Sequence, residues 1–167
     1  IKDEDEISKK EQQLKNIQLS AVLDTVSKQV SQKLALKNIE LKADIQIQEA
    51  KILIDEELLI RVLANLIDNA IKFSFPQSEI KVQAYAEDKK LILVVSDSGL
   101  GFNPEYKDEI FKKFTNRSKP GTANEPSTGI GLYLCKKIVE KYNGTLTASS
   151  EGANKGARFS IVFELEG

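Results

Sequence analysis

Three sets of residues in this chain of 167 have types and spacings that could do chemistry. Asn65, Asn69 and Lys72 fall at i, i+4 and i+7, which on a helix makes one row of two amides and an ammonium. Asparagine is a mediocre helix former, so two of them one turn apart ask for a reason. An Asn oxygen is a hard ligand of the kind Mg²⁺ takes, with phosphate oxygens and water completing the shell, and Lys72 could neutralise phosphate charge. A solvated helix face accounts for the same row equally well. The second set is Asp97-Ser98-Gly99-Leu100-Gly101. Its glycines let backbone approach a ligand, and its carboxylate could accept a hydrogen bond from an exocyclic amine such as that of adenine. An ordinary Asp-Ser-Gly turn has the same residues. The third set, Ser127-Thr128-Gly129-Ile130-Gly131-Leu132, runs into an expected helix, whose free N–H groups and dipole favour an anion. It is not a P-loop, since no Gly-Lys-Ser/Thr follows, nor a Rossmann fingerprint, since the third glycine is missing.

Composition narrows the chemistry further. Lys and Arg total 24 against 25 for Asp and Glu, a formal charge of −1. No global field draws the chain to nucleic acid or an anionic membrane, so neither is expected as a partner. With 41% hydrophobic and 29% charged residues, the composition is that of a globular domain. The longest apolar run, Leu91-Ile92-Leu93-Val94-Val95, falls far short of the ~20 residues that cross a bilayer, and no signal peptide is recognisable. A cytoplasmic location is therefore expected. One cysteine, Cys135, and no histidine exclude a disulfide framework, the usual zinc sites and every triad that needs imidazole. The absence of Met, position 1 included, suggests a piece of a longer protein.

The elements that must position these residues follow from periodicity. Residues 1–19 are charge-dense, with Ile7 and Leu14 one heptad apart, and are expected to be a linker or the end of an upstream dimerisation helix. The domain proper is expected over 20–167. From Ser20, a good N-cap type, Val22, Leu23, Val26, Val30 and Leu34 recur at helical spacing until Lys37-Asn38. Strands are expected over 39–47 and 51–54. Asp55 then caps the strongest helix, whose apolar stripe runs from Leu58 through Leu66 to Ile71 and ends near Phe73. A hairpin over 80–96, a short helix over 106–113 and an irregular stretch over 115–128 follow. That stretch holds Pro120, Gly121 and Pro126 and is expected to act as a nucleotide lid. A helix over 131–142 ends at Asn143-Gly144, and strands over 145–149 and 157–165 close the chain. Strands mix with helices without βαβ alternation, so the expected fold is an α+β two-layer sandwich, a mixed sheet of about five strands with about three helices on one face.

The order of the motifs resembles that of the sensor histidine kinases. Leu63-Ala64-Asn65-Leu66-Ile67-Asp68-Asn69-Ala70-Ile71-Lys72-Phe73-Ser74 is similar to their N box, and Asp97-Ser98-Gly99-Leu100-Gly101-Phe102 to their first glycine box. Ile110-Phe111-Lys112-Lys113-Phe114 is similar to their F box, and Ser127-Thr128-Gly129-Ile130-Gly131-Leu132-Tyr133-Leu134 to their second glycine box. The resemblance covers about residues 20 to 165 and implies the Bergerat ATP-binding fold, shared with gyrase-type topoisomerases, heat-shock chaperone ATPases and mismatch-repair ATPases. It implies ATP and Mg²⁺ as ligands, with Asn69 on the metal, Lys72 on a phosphate, Phe73 on the face of the base and Asp97 on the adenine amino group. Gly99 and Gly101 would shape the pocket, and Thr128, Gly129, Gly131 and the backbone N–H of Leu132 would hold the phosphates.

Asn65 occupies the position where hydrolytic relatives carry a water-activating glutamate. An amide is no general base, which favours phosphoryl transfer to a protein acceptor. The implied acceptor is a histidine on a dimerisation domain of the same protein, a homodimer in full length, and the implied downstream partner is a response-regulator receiver domain. The chain departs from the pattern in three places. Ser127 replaces a common glycine, Asn116 stands where many members have an arginine, leaving Arg117 or Lys119 for the phosphate, and Ala157 stands where a threonine often serves the adenine water network. Three rival readings remain: an anti-sigma-type serine kinase, a non-catalytic ATP-binding module, and the ATPase piece of a topoisomerase or chaperone. Cys135, among Leu132, Ile138 and Val139, reads as core rather than as a redox sensor.

Overall fold

The computed structural model of the chain describes residues 13–112, 121–123 and 131–165. Strand β1 (Lys15–Gln18) leads directly into helix α1 (Leu19–Lys37), followed by β2 (Glu40–Ile45), β3 (Glu49–Ile52) and helix α2 (Glu56–Phe73). Then come β4 (Glu79–Glu87), β5 (Lys90–Asp97), two 3₁₀ turns, helix α3 (Gly131–Lys141), β6 (Thr145–Ser149) and β7 (Ala157–Glu164). Five strands form one sheet in the order β2-β4-β5-β7-β6. It is mixed, because β2 runs parallel to β4 while every other neighbour is antiparallel. This is the expected α+β sandwich.

Alternation decides which face of the sheet is buried. Ile80, Val82 and Ala84 on β4, Leu91, Leu93 and Val95 on β5, and Phe159, Ile161 and Phe163 on β7 all turn to the same side. The register sets Val82 beside Val95 and Val95 beside Phe159, so the apolar rows are continuous across the strands. The helices cover this face. α2 brings Leu59, Val62, Leu63, Leu66, Ile67, Ala70 and Ile71, each buried, and α1 brings Val22, Leu23, Val26 and Val30. Each such Leu, Ile or Val contributes roughly 1.5–3 kcal/mol by leaving water. α2 starts where expected, with the Asp55 carboxylate accepting from the Leu58 N–H at 2.9 Å.

Three expectations are corrected. Residues 15–18 are neither linker nor helix end, but a strand paired antiparallel with β3 in a second, two-stranded sheet. One apolar residue, Ile17, made that strand invisible, yet Ile17 is fully buried opposite Ala50. Because β1 runs straight into α1, the N-cap is Gln18 rather than Ser20, and it makes no side-chain cap bond. The Leu19 N–H donates instead to the Gln48 carbonyl at 2.9 Å. The short helix expected over 106–113 is two separate 3₁₀ turns, Pro104–Tyr106 and Glu109–Phe111, the first capped by the Asn103 side chain. Phe111 of the F box is buried edge-on against Phe159, with ring centres 6.1 Å apart.

Leu14 and Leu165, near the two ends of the described chain, line one hollow of about 210 Å³ together with Leu53, Tyr142 and Phe163. Among the described residues no helix is long and apolar enough to cross a membrane.

Candidate nucleotide site

The end of α2 carries the expected row. Asn65, Asn69 and Lys72 are all half-buried, beside the buried stripe rather than within it. The Asn65 side chain hydrogen-bonds the Cys135 thiol on α3, a contact the sequence did not suggest. Cys135 also donates to the Val62 carbonyl at 3.7 Å, and burial pushes its thiol up to about 11. It is a core residue, as expected. The Lys72 ammonium lies 5.3 Å from the centre of the Phe73 ring, so the cation and the aromatic face intended for phosphate and base sit side by side.

The first glycine motif folds onto that helix end. β5 stops at Asp97, whose carboxylate accepts from the Gly99 N–H at 2.8 Å and from the backbone N–H of Ala157. Burial pushes the Asp97 carboxyl above the ordinary carboxylate value, and these two N–H groups pull it back part of the way. The Leu100 N–H donates to the Phe73 carbonyl at 2.9 Å. At Gly99 a Cβ would collide with that same carbonyl, so glycine is required for the approach. Gly101 has φ of +63°, and a Cβ there would meet the Gly152 and Gly156 carbonyls and the Ser150 Oγ.

A third segment, the turn between β6 and β7, completes the frame. The Gly156 N–H donates to the Gly99 carbonyl at 3.0 Å, and the Asn154 N–H to the Leu100 carbonyl at 2.7 Å. Ser150 Oγ donates to the Gly156 carbonyl at 2.7 Å and accepts from the Phe102 N–H at 3.1 Å. Sequence reasoning missed Ser150 and Asn154, because a polar hairpin turn carries no local sign that its backbone will be used. Ala157 contributes its backbone N–H to Asp97.

Among the described residues nothing stands within 4 Å of where a Gly131 Cβ would lie; Gly131 is exposed and Leu132 beside it is half-buried. Arg117, Thr128 and Gly129 lie outside the described residues, as does the expected lid over 115–128 apart from 121–123. Thus Asn65, Asn69, Lys72 and Phe73 lie on α2, Asp97 at the end of β5, and Gly99 and Gly101 on the loop that follows it. Among the described residues no group of three or more His, Cys, Asp or Glu could hold a metal ion.

The site thus combines a sheet with helices on one face, a carboxylate at a central strand end and a glycine loop tied to a helix carrying Asn and Lys. The chain belongs to the family described as "Histidine kinase-, DNA gyrase B-, and HSP90-like ATPase", whose model matches residues 54–167. The sensor protein SrrB of Staphylococcus aureus is 35% identical over 107 residues, 64% of this chain but 18% of SrrB. The chain thus spans less than a fifth of that relative. A mycobacterial sensor histidine kinase, MprB, superposes with a TM-score of 0.78 at 25% identity, over 92% of this chain and 98% of the MprB chain. Full-length ShkA, solved in complex with AMPPNP, superposes with a TM-score of 0.75 at 24% identity, over 92% of this chain and 32% of that one.

Proposed function

We propose that this chain is the catalytic ATP-binding domain of a two-component sensor histidine kinase, spanning the described residues from Lys15 onward together with 113–130 and the C-terminus. Its substrate is Mg-ATP. The γ-phosphoryl group leaves the β-phosphate oxygen of ADP and bonds to an imidazole nitrogen on a separate dimerisation domain. One observation carries this reading. Asp97 ends a central strand with its carboxylate held by two backbone N–H groups, and the adjoining loop is bonded to Phe73. A fixed carboxylate with acceptor capacity left over suits an adenine amino group.

The neighbouring groups fit the rest of the nucleotide. Lys72 supplies positive charge, Phe73 a ring, and the exposed Gly131 with Leu132 at the N-terminal end of α3 a position suited to an anion, with Thr128 and Gly129 preceding it in the sequence. The donor set fits Mg²⁺ that arrives on phosphate, because Asn69 offers a hard amide oxygen and, among the described residues, no cluster of acidic groups would hold a free ion. Bound there, the ion would neutralise charge developing on the phosphates. Asn65 has no basic atom, which supports transfer rather than hydrolysis, and Arg117 is the proposed contact to the moving phosphoryl group. The partners follow from the reaction: a histidine-bearing domain of the same protein, homodimeric in full length, a receiver domain that takes the phosphoryl group on, and a cytoplasmic setting for both.

Two measurements test the reading. Mg-ATP should bind the chain, and Asp97→Asn should weaken binding by about 1.5–3 kcal/mol, roughly 10- to 150-fold. A change below twofold with the fold intact overturns the adenine assignment. With labelled ATP the chain alone should stay unlabelled, since it contains no histidine, while a histidine-bearing hairpin from the parent protein should acquire an acid-labile phosphate. Asn69→Ala should abolish that labelling. Label on serine or threonine would favour the serine kinase instead.

A further inference from the structure

Lys37 and Ser74 are the buried polar or charged side chains among the described residues, and the site as read so far uses neither. Lys37 ends α1, yet its ammonium reaches across to the end of α2. Its three N–H groups donate to the carbonyls of Ile71 and Lys72, each at 2.9 Å, and to Thr122 Oγ1 at 2.7 Å, with the Ser74 carbonyl a further 3.3 Å contact. Thr122 closes the circuit. Its N–H donates to the Lys72 carbonyl at 3.0 Å and its hydroxyl to the Ser74 carbonyl at 2.6 Å. The Lys37 carbonyl in turn accepts from the Gln77 N–H at 2.8 Å.

With the Leu100 bond to the Phe73 carbonyl, every carbonyl from Ile71 to Ser74 is tied to another segment of the chain. These are the last carbonyls of a helix, where the dipole is negative and a buried cation is well placed. Simple capping would need one or two of these bonds. Here the ammonium and the hydroxyl instead grip both sides of the two residues read as facing phosphate and base. We propose that Lys37 and Thr122 act together as positioning residues for the nucleotide, fixing the backbone of Lys72 and Phe73 and joining it to residues 121–123. The inference rests on the nucleotide reading above. Neither residue touches the nucleotide in this scheme; each acts through the end of α2.

The test is a double-mutant cycle on Mg-ATP affinity by calorimetry, with thermal melting beside it. Thr122→Val keeps the shape and removes the hydroxyl, and should weaken Mg-ATP binding on the order of fivefold with a melting temperature close to that of the parent. Thr122→Ser restores the hydroxyl and should restore affinity. Lys37→Met should weaken binding at least as much, and the double variant should be no weaker than Lys37→Met alone, since the two residues form one unit. Should Lys37→Met fail to fold, the Thr122 pair decides alone. Thr122→Val that binds within twofold of the parent, or that Thr122→Ser does not rescue, overturns the inference while the parent still binds. A parent chain that does not bind Mg-ATP overturns the nucleotide reading itself, and this inference with it.

Discussion

The backbone of Leu100 is bonded to the backbone of Phe73, N–H to carbonyl at 2.9 Å, so the loop after β5 and the end of α2 are one rigid joint. Two residues proposed to touch opposite parts of a nucleotide, Asp97 and Lys72, are thereby held in a fixed relation by main-chain atoms, which cost little entropy to keep in place.

Gly99→Ala should break this joint. Its methyl group has nowhere to go but into the Phe73 carbonyl, so the loop must lift off α2. The expected cost is about 2–4 kcal/mol of stability, with Mg-ATP binding lost from the protein that still folds. Chemical denaturation and a nucleotide titration on the same sample check both parts.

Asp97 should give stability an unusual pH dependence. Its folded-state value lies above the ordinary 3.8, so between those two values the folded chain holds more proton than the unfolded one. The contribution of Asp97 to stability is therefore greatest below 3.8 and declines as pH rises through its folded value. Melting curves of the parent minus those of Asp97→Asn should show this decline across the mildly acidic range. A difference that grows with pH would contradict the burial of this carboxylate.

Cys135 should be silent towards alkylating reagents in the native state. With the thiol pushed up to about 11, only about one in a thousand molecules is thiolate at pH 8, and the sulfur is also buried. Reaction should appear only in denaturant, at the rate of an ordinary cysteine.

Asp55→Ala removes the cap of α2 far from the nucleotide residues. A loss of about 1 kcal/mol is expected. That corresponds to a melting temperature lower by about 2–4 °C. Nucleotide affinity should be unaltered, which a titration at low temperature would confirm.

α2 was legible because cap, stripe and end signals all agree over Asp55 to Phe73, and a long amphipathic period leaves little choice. The β4–β5 hairpin was legible for the same reason at period two. β1 was not, since Lys15-Asn16-Ile17-Gln18 has one apolar residue and gains its structure from β3, more than thirty positions away. The region after Phe102 misled because its acidic and aromatic residues suit a helix, while Asn103 and Pro104 start a 3₁₀ turn that closes after three residues. At the site, the residue types that would meet a ligand could be picked out on α2 and the glycine loop. The residues that hold those elements together could not. Lys37 looks like an ordinary basic residue at a helix end, and Ser150 like a turn residue. Only the tertiary fold brings one to the carbonyls of α2 and the other beneath Gly101.

Leu14, just before β1, and Leu165, just after β7, line one hollow, so these two segments face each other across it. A short flexible linker from residue 165 back to residue 13 would turn the chain into a ring. Ring closure removes conformational freedom mainly from the unfolded ensemble. Joining these two segments should therefore raise the melting temperature, with the bond between Phe73 and Leu100 left as it is.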